Sequence, residues 1–256
     1  MKRRPAPTFA LAALVFGAAA ACAADEALPN AETILDRYVE VTGGKAAYQK
    51  RKSEITTGTL EFAGPGLKGT LTRYAADPDK TYSAMEIDGV GKVEMGAGGS
   101  VAWEKSALLG PRVKAGEERT QALRESAFNG PLLWRKLYPK VETVAVETIG
   151  GNTCYKVVLS PAEGKPETMY FLKDSGLLLK TTMLAVNQMG EIPVESSVSD
   201  YKSFEGVLVP TKVTERAGGQ EFTITIQSIQ TNVGIPADRF EPPAEIKALL
   251  DKGGAK

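Results

Sequence analysis

From residue 53 to residue 229 the chain is a succession of short segments rich in Thr, Val, Ile and Tyr, each cut off by turn residues, and nothing else in it limits the fold so strongly. The pattern predicts strands over 53–62, 67–75, 80–87, 90–95 and 100–104. It resumes over 141–148, 152–160, 168–173, 177–185, 193–201, 207–215 and 221–229. Asp88-Gly89, Gly150-Gly151 and Gly218-Gly219 supply the positive-φ residues that two-residue hairpins need. In the last segment Phe222, Ile224 and Ile226 alternate with Thr223, Thr225 and Gln227, so one face is buried and one wet. No βαβ rhythm or internal repeat interrupts the series. About eleven or twelve strands joined by short links make an antiparallel meander, and a sheet that wide curls. The expected fold is mainly β (α+β): a single strongly curved antiparallel sheet forming an unclosed β-barrel of about 11 strands, with helices covering the concave face.

Helical signals are few and placed at the ends and the middle. Asn30 is an N-cap ahead of Ile34, Leu35, Tyr38 and Val39, which share one helical face, and Gly43-Gly44 ends that helix. A short second helix is expected over 45–52, and another within 236–250. Residues 116–138 break the strand series with two short apolar helices, read as an inserted lid.

Residues 1–23 read as a secretory signal: Lys2, Arg3 and Arg4, then 13 uncharged residues from Phe9 to Ala21, then Ala21-Cys22-Ala23 before the cut. Residues 24–256 form the single domain that remains. Cys22 offers a second outcome, lipidation and a lipid anchor, although Ala19-Ala20-Ala21 lacks the Leu that such a site usually carries. No other apolar run reaches the length of a transmembrane span. Cys154, in a strand pattern, reads as a structural thiol.

The chain holds no histidine, which removes His triads, His bases and His-ligated metals together. Its 31 basic and 31 acidic residues cancel, so there is no electrostatic footprint for nucleic acid. No glycine pattern of a dinucleotide, phosphate or nucleophile loop occurs. Asp77-Pro78-Asp79 is too small a donor set for calcium and reads as a turn. No catalytic residue, cofactor or metal is expected.

What remains is apolar. Phe62, Met85 and Trp103 lie on the first strands, and Phe128, Leu132, Leu133, Trp134 and Leu137 on the inserted helices. Singly, each is an ordinary core residue. Together, on a curved sheet and the helices laid across it, they are the candidate lining of an apolar ligand cavity.

The run Ile34-Leu35-Asp36-Arg37-Tyr38 through Thr42-Gly43-Gly44, followed by Gly58-Thr59-Leu60, resembles exported proteins of the LolA/LolB-like lipoprotein-carrier superfamily. So do Tyr170-Phe171-Leu172 through Ser175-Gly176-Leu177-Leu178 and Asp200-Tyr201-Lys202 through Gly206-Val207-Leu208-Val209-Pro210-Thr211. Asn232-Val233 through Phe240-Glu241-Pro242-Pro243 completes the likeness. The resemblance implies an unclosed barrel around an apolar cavity, a periplasmic location and lipoprotein acyl chains or another lipid as partner. The alternative on the same scaffold is a non-catalytic envelope interaction or sensor module whose partner is an envelope protein. An acyl chain of about 16 carbons gains on the order of 12 kcal/mol on burial, whereas an empty core cavity costs about 24 cal/mol per Å³. Residues 132–138 are therefore expected to fill the hollow when it is empty and to move out on loading.

Overall fold

Asn30 caps the first helix as its position predicts: Oδ1 accepts from the Glu32 N–H at 2.9 Å, a cap worth about 1 kcal/mol. The helix, α1 (Ala31–Val41), buries Ala31, Ile34, Leu35 and Val39. Thr42 ends it; the hydroxyl donates to the Tyr38 carbonyl at 2.6 Å and shares a hydrogen bond with the Tyr48 hydroxyl of α2 (Gly44–Lys50). At Gly43, with φ +133°, a Cβ would strike the Gly206 carbonyl, so only glycine lets the two backbones meet. The computed structural model describes Met1 and residues 27–64, 66–187 and 190–253. The export signal and the fate of Cys22 lie outside the described residues.

The strands form one 13-stranded antiparallel sheet. From the centre, β1 (Ser53–Phe62), β2 (Lys68–Ala76), β3 (Lys80–Ile87), β4 (Gly91–Gly98), β5 (Val101–Ser106) and β6 (Gly110–Val113) run outward to one edge. The chain then crosses to the other edge through α3 (Gly116–Glu125), a 3-10 turn (Gly130–Leu133) and α4 (Trp134–Leu137). From there β7 (Lys140–Ile149), β8 (Asn152–Ser160), β9 (Glu167–Leu172), β10 (Leu178–Asn187), β11 (Gly190–Phe204), β12 (Val207–Ala217) and β13 (Gln220–Thr231) return until β13 pairs with β1. The sheet is unclosed, with β6 and β7 as its edges. A 3-10 turn (Ala237–Phe240) and α5 (Ala244–Gly253) follow.

The strand count exceeds the expected eleven or so. The strand not expected from the sequence is β6, four residues long with Pro111 in it, and proline is tolerated in a sheet at an edge of this kind.

Antiparallel partners point to the same side, so the register sorts the two faces. On one face Val157, Leu159 and Phe171 pack under α1 with Trp134 and Val207, forming the main core. On the other, Trp103 and Tyr82 pack with Ile246 of α5, and Tyr74, Val113 and Phe240 surround them. Elsewhere that second face is wet, carrying the ion ladder Lys180–Glu195–Arg216–Glu221. No helix among the described residues is long and apolar enough to cross a membrane.

Candidate functional site

The face that carries α1 and α3 is called the inner face below. Phe62 opposes Phe222 there, with rings 5.4 Å apart, and Leu60 opposes Ile224. The row continues through Leu71 opposite Met85, and Met85 opposite Val93. Val213 joins from β12, opposite Ile224, and Met183 from β10. Leu60 is buried, but Phe62, Leu71, Met85, Val93, Val213 and Phe222 are all left half-buried. A core would have covered them. This apolar row lies on the inner face away from the core under α1.

Beside that row, α3 spans the sheet. It packs on β4 and β5 at one side and on β10 at the other. A cavity of about 490 Å³ lies under it, lined by Arg112 and Lys114 of β6 and the turn after it, Glu118 and Gln121 of α3, and Met183 and Glu215 across the hollow. The larger cavity, about 790 Å³, is an open depression lined mostly by the wet face: Thr168, Thr182, Glu195, Arg216 and the turn Gly218-Gly219. Pro166, Leu184, Pro193 and Val194 also line it, but it lies open at the rim beside Glu195, Arg216 and Glu221 of the ion ladder, away from the apolar row.

The hold of α3 is polar. None of its residues is fully buried. Arg112 donates from Nη1 and Nη2 to the two carboxylate oxygens of Glu118, both at 2.7 Å, and from Nη2 to Glu104 at 2.9 Å. Burial pushes the Glu118 carboxyl up, but the Arg112 hydrogen bonds and the Lys114 charge outweigh it and hold it below its ordinary value. Gln121 accepts from the Val186 N–H at 3.3 Å, and its amide touches Met183 Sδ at 3.8 Å. Facing it, burial and the nearby Glu125 charge push the Glu215 carboxyl up against the Ser196 hydrogen bond. Glu167 behaves likewise: burial raises it although Tyr138 donates to it and Arg124 is near.

Arg112, Lys114, Glu104 and Glu118 under α3 are spent on one another, and the Cys154 thiol is buried, its pKa pushed up by that burial. This arrangement presents apolar surface with a polar rim rather than a poised nucleophile.

Of the residues singled out from the sequence, the structure brings Phe62 and Met85 onto the inner apolar row. Trp103 is on the other face: it opposes Gly96, is 2% exposed, and lies beneath Ile246. Leu132 and Trp134 do not sit over the hollow; they pack into the core of α1, where the Trp134 indole N–H donates to Asp36 Oδ1 at 3.2 Å. Leu133 and Leu137 are half-buried beside them. Phe128 is buried under Arg51, whose guanidinium lies 5.8 Å from the ring. The expected lid thus divides: 134–137 is anchored by a buried Trp, and 116–125 rests on polar contacts. Leu71, Val93, Val213 and Phe222 were missed as site residues because their face depends on a register that composition does not reveal.

No family model matches the sequence, and no curated protein matches it. Solved structures do. A DUF1329 family protein from Desulfovibrio piger superposes with TM-score 0.57 at 15% identity, over 85% of this chain and 99% of that one. A LolA superfamily protein from Nitrosomonas europaea gives 0.55 at 11%, over 84% and 99%. A domain described as an outer membrane lipoprotein-sorting protein, from Vibrio parahaemolyticus, gives 0.52 at 14%, over 86% and 99%. At such identities the likeness speaks for the fold, and in fold this chain is similar to the LolA superfamily and the lipoprotein-sorting domains.

Proposed function

We propose that the protein is an exported, periplasmic, non-catalytic carrier that holds the acyl chains of lipoproteins or other lipids against the inner face of its sheet. The observation that carries this reading is the row of half-buried apolar side chains, Phe62, Leu71, Met85, Val93 and Phe222, contributed by adjacent strands. An exposed contiguous apolar surface of this kind marks a binding site in a soluble protein.

On this reading, curvature of the sheet turns the row into one wall of the lipid-holding hollow. In sheet order β5 and β10 are eight strand-to-strand steps apart, yet α3 packs on both. A flat sheet would separate them by roughly 38 Å at about 4.8 Å per step, whereas a helix of 10 residues is about 15 Å long. The sheet therefore curls round the row, with α3 bridging the opening. The LolA-like fold supports the same use.

The test is displacement of a neutral apolar dye, N-phenyl-1-naphthylamine, by lipid, with native mass spectrometry of protein purified from its own envelope. Leu71→Asp and Met85→Asp alter half-exposed positions, so the fold should survive while dye and lipid affinity fall at least tenfold. Wild-type binding in both folded variants would take this reading down. A stoichiometric protein partner in place of lipid would favour an interaction module instead.

A further inference from the structure

A second space closes at the end of the apolar row. A cavity of about 250 Å³ lies between the loop after α3 (Phe128, Asn129), the start of β12 (Val207, Pro210) and the inner-face groups Arg51, Glu54 and Arg73. Two guanidiniums share one carboxylate there. Glu54 is already committed: Arg51 Nη2 pairs with Oε2, and the Thr56 hydroxyl donates to Oε1 at 2.6 Å. Arg51 is 8% exposed, and its Nε is buried with no partner among the described residues.

Arg73 is the cation left over. Its Nη1 lies 3.9 Å from Glu54 Oε1, beyond hydrogen-bond reach, and it donates no hydrogen bond among the described residues. The lining thus carries one uncompensated positive charge. Arg73 and Leu71 are two residues apart on the same face of β2, roughly 6.6 Å. Leu71 opposes Met85, so the apolar row begins where the charge ends.

Resting on the acyl-binding reading above, we infer that this cavity takes the anionic head group, carboxylate or phosphate, of an acyl lipid whose chain lies along Leu71, Met85 and Phe62. Guanidinium matches either anion with paired, charge-assisted hydrogen bonds. A neutral head can accept a hydrogen bond from Arg73 but gains no charge pairing.

The test compares oleate with oleyl alcohol, and oleoyl glycerol phosphate with monooleoyl glycerol, as competitors of the neutral dye on the full mature chain; acetate and inorganic phosphate are titrated alone by calorimetry. Each acid should bind roughly 10- to 100-fold more tightly than its neutral partner. Arg73→Gln should bring that ratio close to one by weakening the acid far more than the alcohol, and Arg73→Lys should keep most of it. Equal affinity of acid and alcohol for the wild type, or an undiminished ratio in Arg73→Gln, overturns the head-group site and spares the carrier. Acetate or phosphate binding as tightly as the acyl anions makes it a small-anion site and overturns the lipid assignment. Failure of both oleate and the alcohol to bind overturns the acyl-binding reading, and this inference with it. If Arg73→Gln does not fold, the wild-type ratio decides: it should shrink at high salt, and a salt-independent ratio refutes the charge pairing.

Discussion

Gly96→Ala is the sharpest probe of how the two faces are assigned. A Cβ at Gly96 would lie 2.5 Å from Trp103 Cε2 and Nε1 and 2.7 Å from Cζ2, closer than real side chains approach. The indole has nowhere to retreat: it is 2% exposed, its ring centroid is 6.2 Å from that of Tyr82, and Ile246, fully buried, lies in the same cluster. Overpacking of this kind costs about 1–3 kcal/mol. In a domain of this size each kcal/mol lowers Tm by about 2–4 °C, so a fall of roughly 2–12 °C is expected. Gly130→Ala is the control, since nothing lies within 4 Å of its added methyl group. Thermal unfolding by circular dichroism reads the stability, and displacement of the neutral dye reads the inner face. The folded variant should bind dye like the wild type, because Trp103 stands on the far side of the sheet from Met85. A variant as stable as the wild type, or one that is folded at the assay temperature yet loses dye binding, would refute the assignment.

Trp134→Ala removes a 6%-exposed indole from the core of α1 and should cost about 3–5 kcal/mol, measured as a lowered denaturant midpoint; a surface-like loss below about 0.5 kcal/mol would contradict its anchoring role. Amide exchange should be faster in α3 than in Trp134–Leu137 without lipid, and only α3 should change, losing protection, on loading; equal protection in both states would end its role as cover. Glu167, raised by burial, binds protons in the native state that the unfolded chain has released, so its contribution is present at low pH and lost as pH rises from the ordinary carboxylate range through its raised value. Glu167→Gln should therefore gain Tm relative to the wild type across that window, and parallel pH profiles would disprove it.

The strands were legible because their turns are chemical: Asp88-Gly89 and Gly150-Gly151 mark hairpins whose glycines adopt the positive φ that the turns require. The family-like motifs were legible for a related reason. Gly43 meets Gly206, and the Leu208 N–H donates to the Thr42 carbonyl at 2.9 Å, so two distant motifs are the halves of one junction. Arg37 likewise donates to the carbonyls of Lys173 and Asp174 beside Gly176. What could not be read was side. Trp103 and Met85 both look like strand apolars, and only pairing through β4 puts one under α5 and the other on the inner row. Trp134 looked like a lid residue because a four-residue helix has no pattern from which burial can be judged.

A cover must be cheap to lift, and that points to α3 over α4. Lifting α4 exposes Trp134, at about 3–5 kcal/mol. Lifting α3 separates Arg112 from Glu118, whose side chains are 15% and 12% exposed, but both ions regain water as they part. Because each ion exchanges its partner for water, the net cost of separating this mostly buried pair is on the order of 1–3 kcal/mol. At about 0.8 kcal/mol per CH₂, roughly four buried methylene groups offset even the upper figure. Any long acyl chain therefore has enough binding energy to open α3 and leave α4 in place. Gln121→Cys with Met183→Cys, joined by a short bis-thiol cross-linker that replaces the length of the two native side chains, tests this, since their tips meet at 3.8 Å. Unlinked, the double variant should load lipid; cross-linked, it should load at least tenfold more weakly, with Tm raised by the added link. Equal loading with and without the cross-link would show that the acyl chain enters without moving α3, and the cover would have to be sought elsewhere on the sheet.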